Sequence, residues 1–167
     1  MIIFDLDGTL ADCDHRRHYI DARRSLEGII QGKRFKPDWK GFFEACDKDN
    51  VIQPVADAFI HLTQGEPFNH DVRIWSGRCE SVREKTLKWL MNLYGTLEDY
   101  QYWDRRLKMR PIGDNTPDDV LKERWLDEAI SEGKQIEFVF DDRPKVVRMW
   151  RRRGIFVFDC NQTGEEF

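Results

Sequence analysis

Two aspartates near the start of the chain have the spacing of a cation or phosphate site. Asp5 and Asp7 follow the apolar run MIIF, and Gly8 and Thr9 come directly after them. Residues i and i+2 of an extended chain point the same way, so their carboxylates repel unless a cation or a shared proton intervenes. Gly8 allows a tight turn that brings backbone N–H groups near an anion. The alternative is an ordinary acidic turn after a strand.

A second acidic pair, Asp141 and Asp142, follows the apolar run IEFVF. Two adjacent acids at the end of a buried strand are costly without a metal ion. The alternative is that Asp142 caps the next helix, with Arg143 and Pro144 in its first turn. Both interpretations can hold together, with one acid capping and the other binding metal. Ligands that are all oxygen atoms favour Mg²⁺.

Two further segments offer groups that bind phosphate. Ser76, Gly77 and Arg78 follow the apolar run DVRIW and provide a hydroxyl, an amide and a guanidinium group, which together suit an oxyanion. The alternative for Ser76 is a plain helix cap. Lys122 lies on a helix that Asp118 begins, although a lone helical lysine is typical of a solvated surface. Acidic pair, Ser-Gly-Arg, lysine and acidic pair therefore occur in chain order.

The elements that must position these groups alternate between strand and helix. We predict strands at 1–6, 71–75, 136–140 and 155–158, an ambiguous strand at 107–110, and helices at 54–62, 82–93, 117–133 and 143–153. This alternation predicts an α/β fold, a Rossmann-like three-layer sandwich with a central parallel sheet. Ligands of such sheets bind beyond the carboxyl ends of the strands, so we expect the acidic pairs to meet there.

Residues 13–50 interrupt this alternation. They are rich in charge, contain Trp39, Phe42 and Phe43, and have a helical pattern from Asp38 to Cys46. We interpret this segment, the insertion, as a small helical cap over the strand ends, within one domain that spans residues 1–167. Its aromatic residues either pack inside the insertion or stack on a nucleobase.

Composition sets outer limits on function. A net charge of −4 provides no overall positive field for nucleic acid. The sequence has no run near the roughly 18 apolar residues that cross a bilayer, and its start, MIIFDLDGT, does not have the pattern of a secretory signal. We therefore expect a cytoplasmic protein without membrane association.

The residues of these motifs and their order in the chain resemble those of the haloacid dehalogenase superfamily of phosphatases. DLDGT resembles the first motif of that superfamily, Ser76 the second, Lys122 the third and Asp141-Asp142 the fourth. The stretches FDLDGTLAD, IWSGR, GDNTPDDVLKERW and FDDRPKVVRMWRRRG are similar to the 3′-phosphatase domain of phage polynucleotide kinase–phosphatase. The resemblance spans nearly the whole chain and implies the haloacid dehalogenase core fold.

The resemblance also implies a mechanism. Asp5 is the expected nucleophile, which forms an aspartyl phosphate. Asp7 is the expected general acid and base, with a pKa raised by the crowding of other acids. We expect Mg²⁺ to be held by Asp5, the backbone carbonyl of Asp7, and Asp141 or Asp142.

Further roles follow from the same resemblance. The expected phosphate-binding residues are Gly8, Thr9, Ser76, Gly77 and Lys122. The expected substrate-binding residues are Arg16, Arg78 and Arg110, and Asp118 matches an acid that orients the active site.

The implied activity is that of a Mg²⁺-dependent phosphomonoesterase acting on 3′-phosphorylated DNA or RNA ends, with a separate polynucleotide kinase or ligase as a partner. The alternative is a nucleotidase for free deoxynucleoside monophosphates, which the long insertion favours. A third hypothesis is a module that binds nucleic-acid ends without catalysis, and the intact acidic set argues against it. Because the similar domain comes from a phage, the expected location includes the cytoplasm of a host cell, in which a phage-encoded protein would act.

Overall fold

The computed structural model describes residues 1–25, 35–64, 70–94 and 100–164. Its strands are β1 (Ile2–Phe4), β2 (Ala11–Asp12), β3 (Asn50–Val51), β4 (Val72–Cys79), β5 (Leu107–Arg110), β6 (Phe138–Asp141) and β7 (Val157–Asp159). Five of these form a parallel sheet in the order β5-β4-β1-β6-β7, and β2 and β3 form a separate antiparallel pair.

Helices cover both faces of this sheet. They are α1 (Trp39–Glu44), α2 (Gln53–Gln64), α3 (Arg83–Tyr94), α4 (Tyr100–Asp104), α5 (Asp118–Ser131) and α6 (Pro144–Arg152). One apolar core packs α2, α3 and α4 against the sheet, and a second packs α5 and α6 against it. Within the residues that the structure describes, every helix is too short or too polar to cross a bilayer.

The two cores arise from the alternation of side chains along each strand. Ile2 and Phe4 point into the first core, where the Phe4 ring packs on Phe59 at 4.8 Å between ring centroids. Ile3 points into the second core with the fully buried Trp150. A sheet buried on both faces in this way confirms the predicted Rossmann-like three-layer α/β sandwich.

The strand β4 is longer than predicted. It continues through Ser76, Gly77 and Arg78 to Cys79, because the ambiguous segment 107–110 is a strand and pairs with it. Ser76 pairs with Met109 and Cys79 with Arg110, with a shift of register between them. Ser76 therefore lies in the sheet, and the alternative that it caps a helix is wrong.

The insertion begins and ends at the antiparallel pair. Ala11 of β2 pairs with Val51 of β3, and Asp12 pairs with Asn50. Between these strands, the described residues form two short 3₁₀ segments, Asp14–Tyr19 and Cys46–Lys48, and the helix α1. Residues 26–34 of the predicted insertion fall outside the described part of the chain. Its action as a cap remains a prediction.

Candidate active site

Three buried carboxylates meet at the carboxyl ends of β1 and β6. Asp5 directly follows β1, Asp141 ends β6, and Asp142 comes next. The two strands are neighbours, with Phe4 paired to Phe140. One carboxylate oxygen from each acid lies within 4.8 Å of the others. The parallel register thus brings together two acidic motifs that are far apart in the sequence.

Lys122 on α5 contacts this cluster with its ammonium group. Its Nζ lies 2.7 Å from Asp141 Oδ2 and 3.0 Å from Asp5 Oδ1, and its side chain is 3% exposed. Burial alone lowers the pKa of Lys122, but Asp141 and then Asp5 outweigh burial and raise it. The ammonium group therefore stays charged, and Lys122 is a buried partner of the acids and not a solvated surface residue.

One ammonium group leaves the three carboxylates with an excess of negative charge. Burial, and then Asp141, raise the pKa of Asp5 to about 6 despite Lys122. Burial, and then Asp5 and Asp141, raise the pKa of Asp142 well above its usual range. When all three acids are ionised, two of their charges are left without a counter-charge from Lys122, and oxygen ligands with that charge suit a divalent cation such as Mg²⁺. The donor set therefore fits the predicted ion.

The two acids that follow β6 have different partners. Asp141 accepts hydrogen bonds from Lys122, from the Trp150 indole at 3.3 Å and from the backbone N–H of Arg143 at 3.2 Å. Asp142 accepts one from the Thr9 hydroxyl at 3.2 Å. The alternative that Asp142 caps the next helix is wrong, because Arg143 holds the cap position of α6 without a side-chain cap.

Gly8 shapes the turn beneath Asp142. Its φ is +87°, and a Cβ atom at this position would overlap the Asp142 carboxylate. The Gly8 amide, which we expected to bind phosphate, instead donates to the carbonyl of Ala11 at 2.8 Å. Gly8 and Thr9 therefore act on Asp142, one by leaving space for it and the other by donating a hydrogen bond to it.

Asp7 is surrounded by guanidinium groups. Its Oδ1 accepts from Arg16 Nη2 at 2.6 Å and from Arg78 Nε and Nη2 at 2.8 and 2.6 Å. Burial raises the pKa of Asp7, but Arg78 and then Arg16 outweigh it, and the net shift is downward. The expected rise was wrong, because arginines and not carboxylates are the nearest charges.

Arg16 and Arg78 are completely buried and share a second acid, Asp49. Arg16 Nε donates to Asp49 Oδ1 at 2.7 Å, and Arg78 Nη2 donates to Asp49 Oδ2 at 2.6 Å. We expected both arginines to contact substrate. The structure instead places them beneath Asp7, where their charges hold its carboxylate.

Sequence reasoning missed Asp49. Its local run, CDKDN, has no feature that separates it from the exposed Asp47. It becomes part of the site because the insertion returns to the core there, where the Trp89 indole donates to its backbone carbonyl at 2.8 Å. Only the tertiary structure identifies this residue.

Arg110 and Asp118 lie together, and a third residue joins them. Arg110 Nε donates to the carbonyl of Gly77 at 3.1 Å, and its Nη2 contacts the Asp118 carboxylate. Arg143, which sequence reasoning did not assign to the site, pairs with the other oxygen of Asp118. Asp118 thus holds two guanidinium groups side by side.

Ser76 is buried, and its hydroxyl oxygen accepts a hydrogen bond from the backbone N–H of Arg78, two residues later.

Several of these groups line one cavity of about 910 Å³. Asp5, Asp7, Asp142 and Lys122 line part of its surface, and Arg110 and Arg143 line another part. Aromatic residues of the insertion, Trp39, Phe42 and Phe43, also line it. A cavity of this size has room for more than a phosphate group.

We predict that Gly8→Ala will weaken Mg²⁺ binding by roughly tenfold or more, because the new methyl group displaces Asp142. Isothermal calorimetry of the purified protein with MgCl₂ measures the affinity. Gly154→Ala is the matched control, since Gly154 also has a positive φ of +73° but no atom within 4 Å of the added Cβ. Equal Mg²⁺ affinity of the two variants would contradict the expectation that Asp142 helps to hold the ion.

Known proteins share this architecture. Residues 30–165 match the model of the family described as the polynucleotide kinase PNKP phosphatase domain. The chain is 27% identical to a chain in the "Structure of Pnkp1/Rnl/Hen1 complex", with a TM-score of 0.66, covering 95% of this chain and 45% of that one. It is also 27% identical to a chain in the "Structure of the Pnkp1/Rnl/Hen1 RNA repair complex", with a TM-score of 0.62, covering 95% and 41%.

The chain spans less than half the length of these solved chains. The family match nevertheless covers most of the residues, and the fold and the acidic cluster agree with it. The chain belongs to the PNKP phosphatase-domain family, and it is a phosphoric monoester hydrolase of the haloacid dehalogenase type.

Proposed function

We propose that the protein is a Mg²⁺-dependent polynucleotide 3′-phosphatase that works through an aspartyl-phosphate intermediate. The observation that carries the proposal is the meeting of Asp5, Asp141 and Asp142 within 4.8 Å, beside Lys122. The family supplies the hydrolysis of phosphomonoesters, and the charge excess of the cluster supports the metal ion.

Asp5, Asp142 and the backbone carbonyl of Asp7 are the proposed ligands of Mg²⁺. Asp142 is favoured over Asp141 for direct contact, because both oxygens of Asp141 already accept hydrogen bonds from the protein. When bound, the ion neutralises charge on the transferring phosphoryl group as a Lewis acid. Asp141 then holds Lys122 in place.

Asp5 is the proposed nucleophile. A pKa of about 6 leaves its carboxylate mostly ionised at neutral pH. Lys122 contacts Oδ1, and within the described ranges no hydrogen-bond donor contacts Oδ2. Attack on phosphorus forms the bond between Asp5 and phosphate as the bond to the leaving alcohol breaks.

Asp7 is the proposed proton carrier. All three donors from Arg16 and Arg78 contact its Oδ1, and among the residues described none donates to Oδ2. The dianionic phosphate of a substrate raises the pKa of a neighbouring carboxyl group, so Oδ2 can carry the proton that the leaving oxygen receives. After that step Asp7 is ionised, and it accepts a proton from the water that hydrolyses the aspartyl phosphate.

Lys122, Ser76 and the amide of Gly77 are the proposed contacts of the phosphoryl oxygens. Because the Ser76 hydroxyl oxygen already accepts the N–H of Arg78 at 3.2 Å, its proton is directed away from that amide. Ser76 can therefore donate its proton to a phosphate oxygen. Removing one such donor is expected to cost roughly 10² to 10³ in rate.

Nucleic-acid ends are the proposed substrates. Arg110 and Arg143, held by Asp118 on the cavity wall, suit the phosphates near a 3′ end. Two solved relatives are chains of Pnkp1/Rnl/Hen1 complexes, one of them described as an RNA repair complex. A separate kinase or ligase is accordingly the proposed partner, and the cytoplasm the proposed location.

A nucleotidase is the second candidate. The insertion contributes Trp39, Phe42 and Phe43 to the cavity lining, and such a wall can enclose a free deoxynucleoside monophosphate. The third hypothesis, a binding module without catalysis, is disfavoured because the chain is a member of a phosphatase family.

We predict that Asp5→Asn will lower the rate of phosphate release from a 3′-phosphorylated oligonucleotide by a factor of roughly 10⁴ or more. The amide cannot form the covalent intermediate. The control is Asp47→Asn, at an exposed aspartate of the insertion, which should keep the wild-type rate. Substantial turnover by a freshly purified, folded Asp5→Asn protein would refute the covalent route.

Removal of divalent cations should abolish activity, because the three carboxylates then repel the incoming phosphate. The measurement is phosphate release by protein treated with excess chelator and dialysed, before and after addition of MgCl₂. We expect recovery with MgCl₂ and none with NaCl of equal ionic strength. Activity that persists unchanged in excess chelator would exclude the proposed metal site.

We predict a higher kcat/KM for a 3′-phosphorylated oligonucleotide than for deoxynucleoside 3′- or 5′-monophosphates. The reason is that Arg110 and Arg143 can contact internucleotide phosphates only in the oligonucleotide. Initial rates of phosphate release at several substrate concentrations measure the difference. A strong preference for 5′-monophosphates would instead establish the nucleotidase.

A further inference from the structure

The three aromatic residues of the insertion have different environments. Phe42 is 6% exposed, and the Arg16 guanidinium lies 4.1 Å from its ring centroid. Phe43 is partly buried and packs against the first apolar core. Trp39, at the start of α1, is 49% exposed. Packing accounts for the two phenylalanines, but it leaves half of the indole in contact with solvent.

Trp39 is nevertheless supported from one side. Its ring meets Phe42 edge-on, with 5.9 Å between centroids and 84° between planes. It also lies 5.9 Å from Phe43, tilted by 31°. These contacts fix the indole on the wall of the cavity that contains Asp5 and Asp7. A supported aromatic ring beside a phosphate site is suited to stacking on a flat ligand.

A cation follows Trp39 in the sequence, on the same helix. Lys40 is exposed and lines the same cavity. Nearby Arg23 and Arg24 pair with Asp21 and Asp14 at 3.0 and 2.9 Å. Lys40, by contrast, has no ion-pair partner within the residues that the structure describes. An aromatic ring with an adjacent cation is the combination that binds single-stranded nucleic acid, since the ring stacks on a base while the cation meets the backbone.

We infer that Trp39 and Lys40 form a nucleotide subsite, in which the indole stacks on an unpaired base at the 3′ end and the ammonium group contacts a phosphodiester. This inference deepens the proposed function and rests on it. A base that stacks on Trp39 has left its place in a duplex, which costs unstacking and unpairing. The preferred substrate is therefore a single-stranded 3′-phosphorylated end.

Binding to the inactive Asp5→Asn protein tests the subsite separately from turnover. Two probes are compared. The complete probe is a fluorescent single-stranded pentanucleotide with a 3′-phosphate, and the abasic probe is the same molecule without bases at its last two positions. Adding Trp39→Ala should raise Kd by roughly 5- to 150-fold for the complete probe. It should change Kd by less than about twofold for the abasic probe, which has nothing to stack.

Matched variants separate stacking from other effects. Trp39→Phe should retain most of the affinity, because it keeps an aromatic face. Phe156→Ala, at a 65% exposed aromatic residue outside the cavity lining, should leave Kd unchanged. Lys40→Ala should reduce the slope of log Kd against log salt by roughly 0.7 on both probes, because the phosphodiesters remain in each.

Several outcomes would overturn the inference. They are an unchanged Kd after Trp39→Ala, an equal loss on the complete and the abasic probe, and the absence of oligonucleotide binding by the Asp5→Asn protein. Thermal melting of the Trp39→Ala protein serves as the check that this variant is folded. Phosphate release by the wild-type protein reports on the proposed function independently. If the wild-type enzyme hydrolyses the pentanucleotide and Trp39→Ala does not change its KM, the inferred subsite is refuted but the proposed phosphatase activity is not.

Discussion

The repulsion among three buried carboxylates is the constraint on which the site depends. Asp5, Asp141 and Asp142 are held within 4.8 Å by the parallel pairing of β1 and β6, and Lys122 offsets one of their charges. Burying carboxylates of like charge this close together costs free energy, and two features of the surrounding structure reduce that cost. The turn at Gly8 leaves space for one acid, and α5 brings in the ammonium group.

A second buried cluster is balanced in charge, unlike the first. Arg16 and Arg78 lie between Asp7 and Asp49, so two cations face two anions. Two aspartates that are two residues apart consequently experience opposite environments. The pKa of Asp5 is raised, mainly by burial, and the pKa of Asp7 is lowered because arginines outweigh burial. Different roles for adjacent carboxyl groups follow from such a difference in environment.

Sequence patterns predicted the features that depend on local order and on sheet geometry. Apolar runs ending in acids indicated strands of a parallel sheet, and that sheet brings Asp5 and Asp141 together. Partners across the fold were not predictable, because no periodicity links Asp49 to Arg16 and Arg78 or Arg143 to Asp118. For the same reason the sequence assigned the Gly8 amide to phosphate, whereas the folded turn uses it internally.

The short pair of β2 and β3 has an evolutionary consequence. The polypeptide leaves and re-enters the core at adjacent points, where Ala11 faces Val51 and Asp12 faces Asn50. The cost of closing a loop grows only slowly with its length, so segments can be gained or lost beyond this stem without rebuilding the sheet. Substrate selectivity and bond-breaking chemistry can therefore diverge at separate rates, provided that every descendant retains residues equivalent to Arg16 and Asp49 at the two ends of the loop.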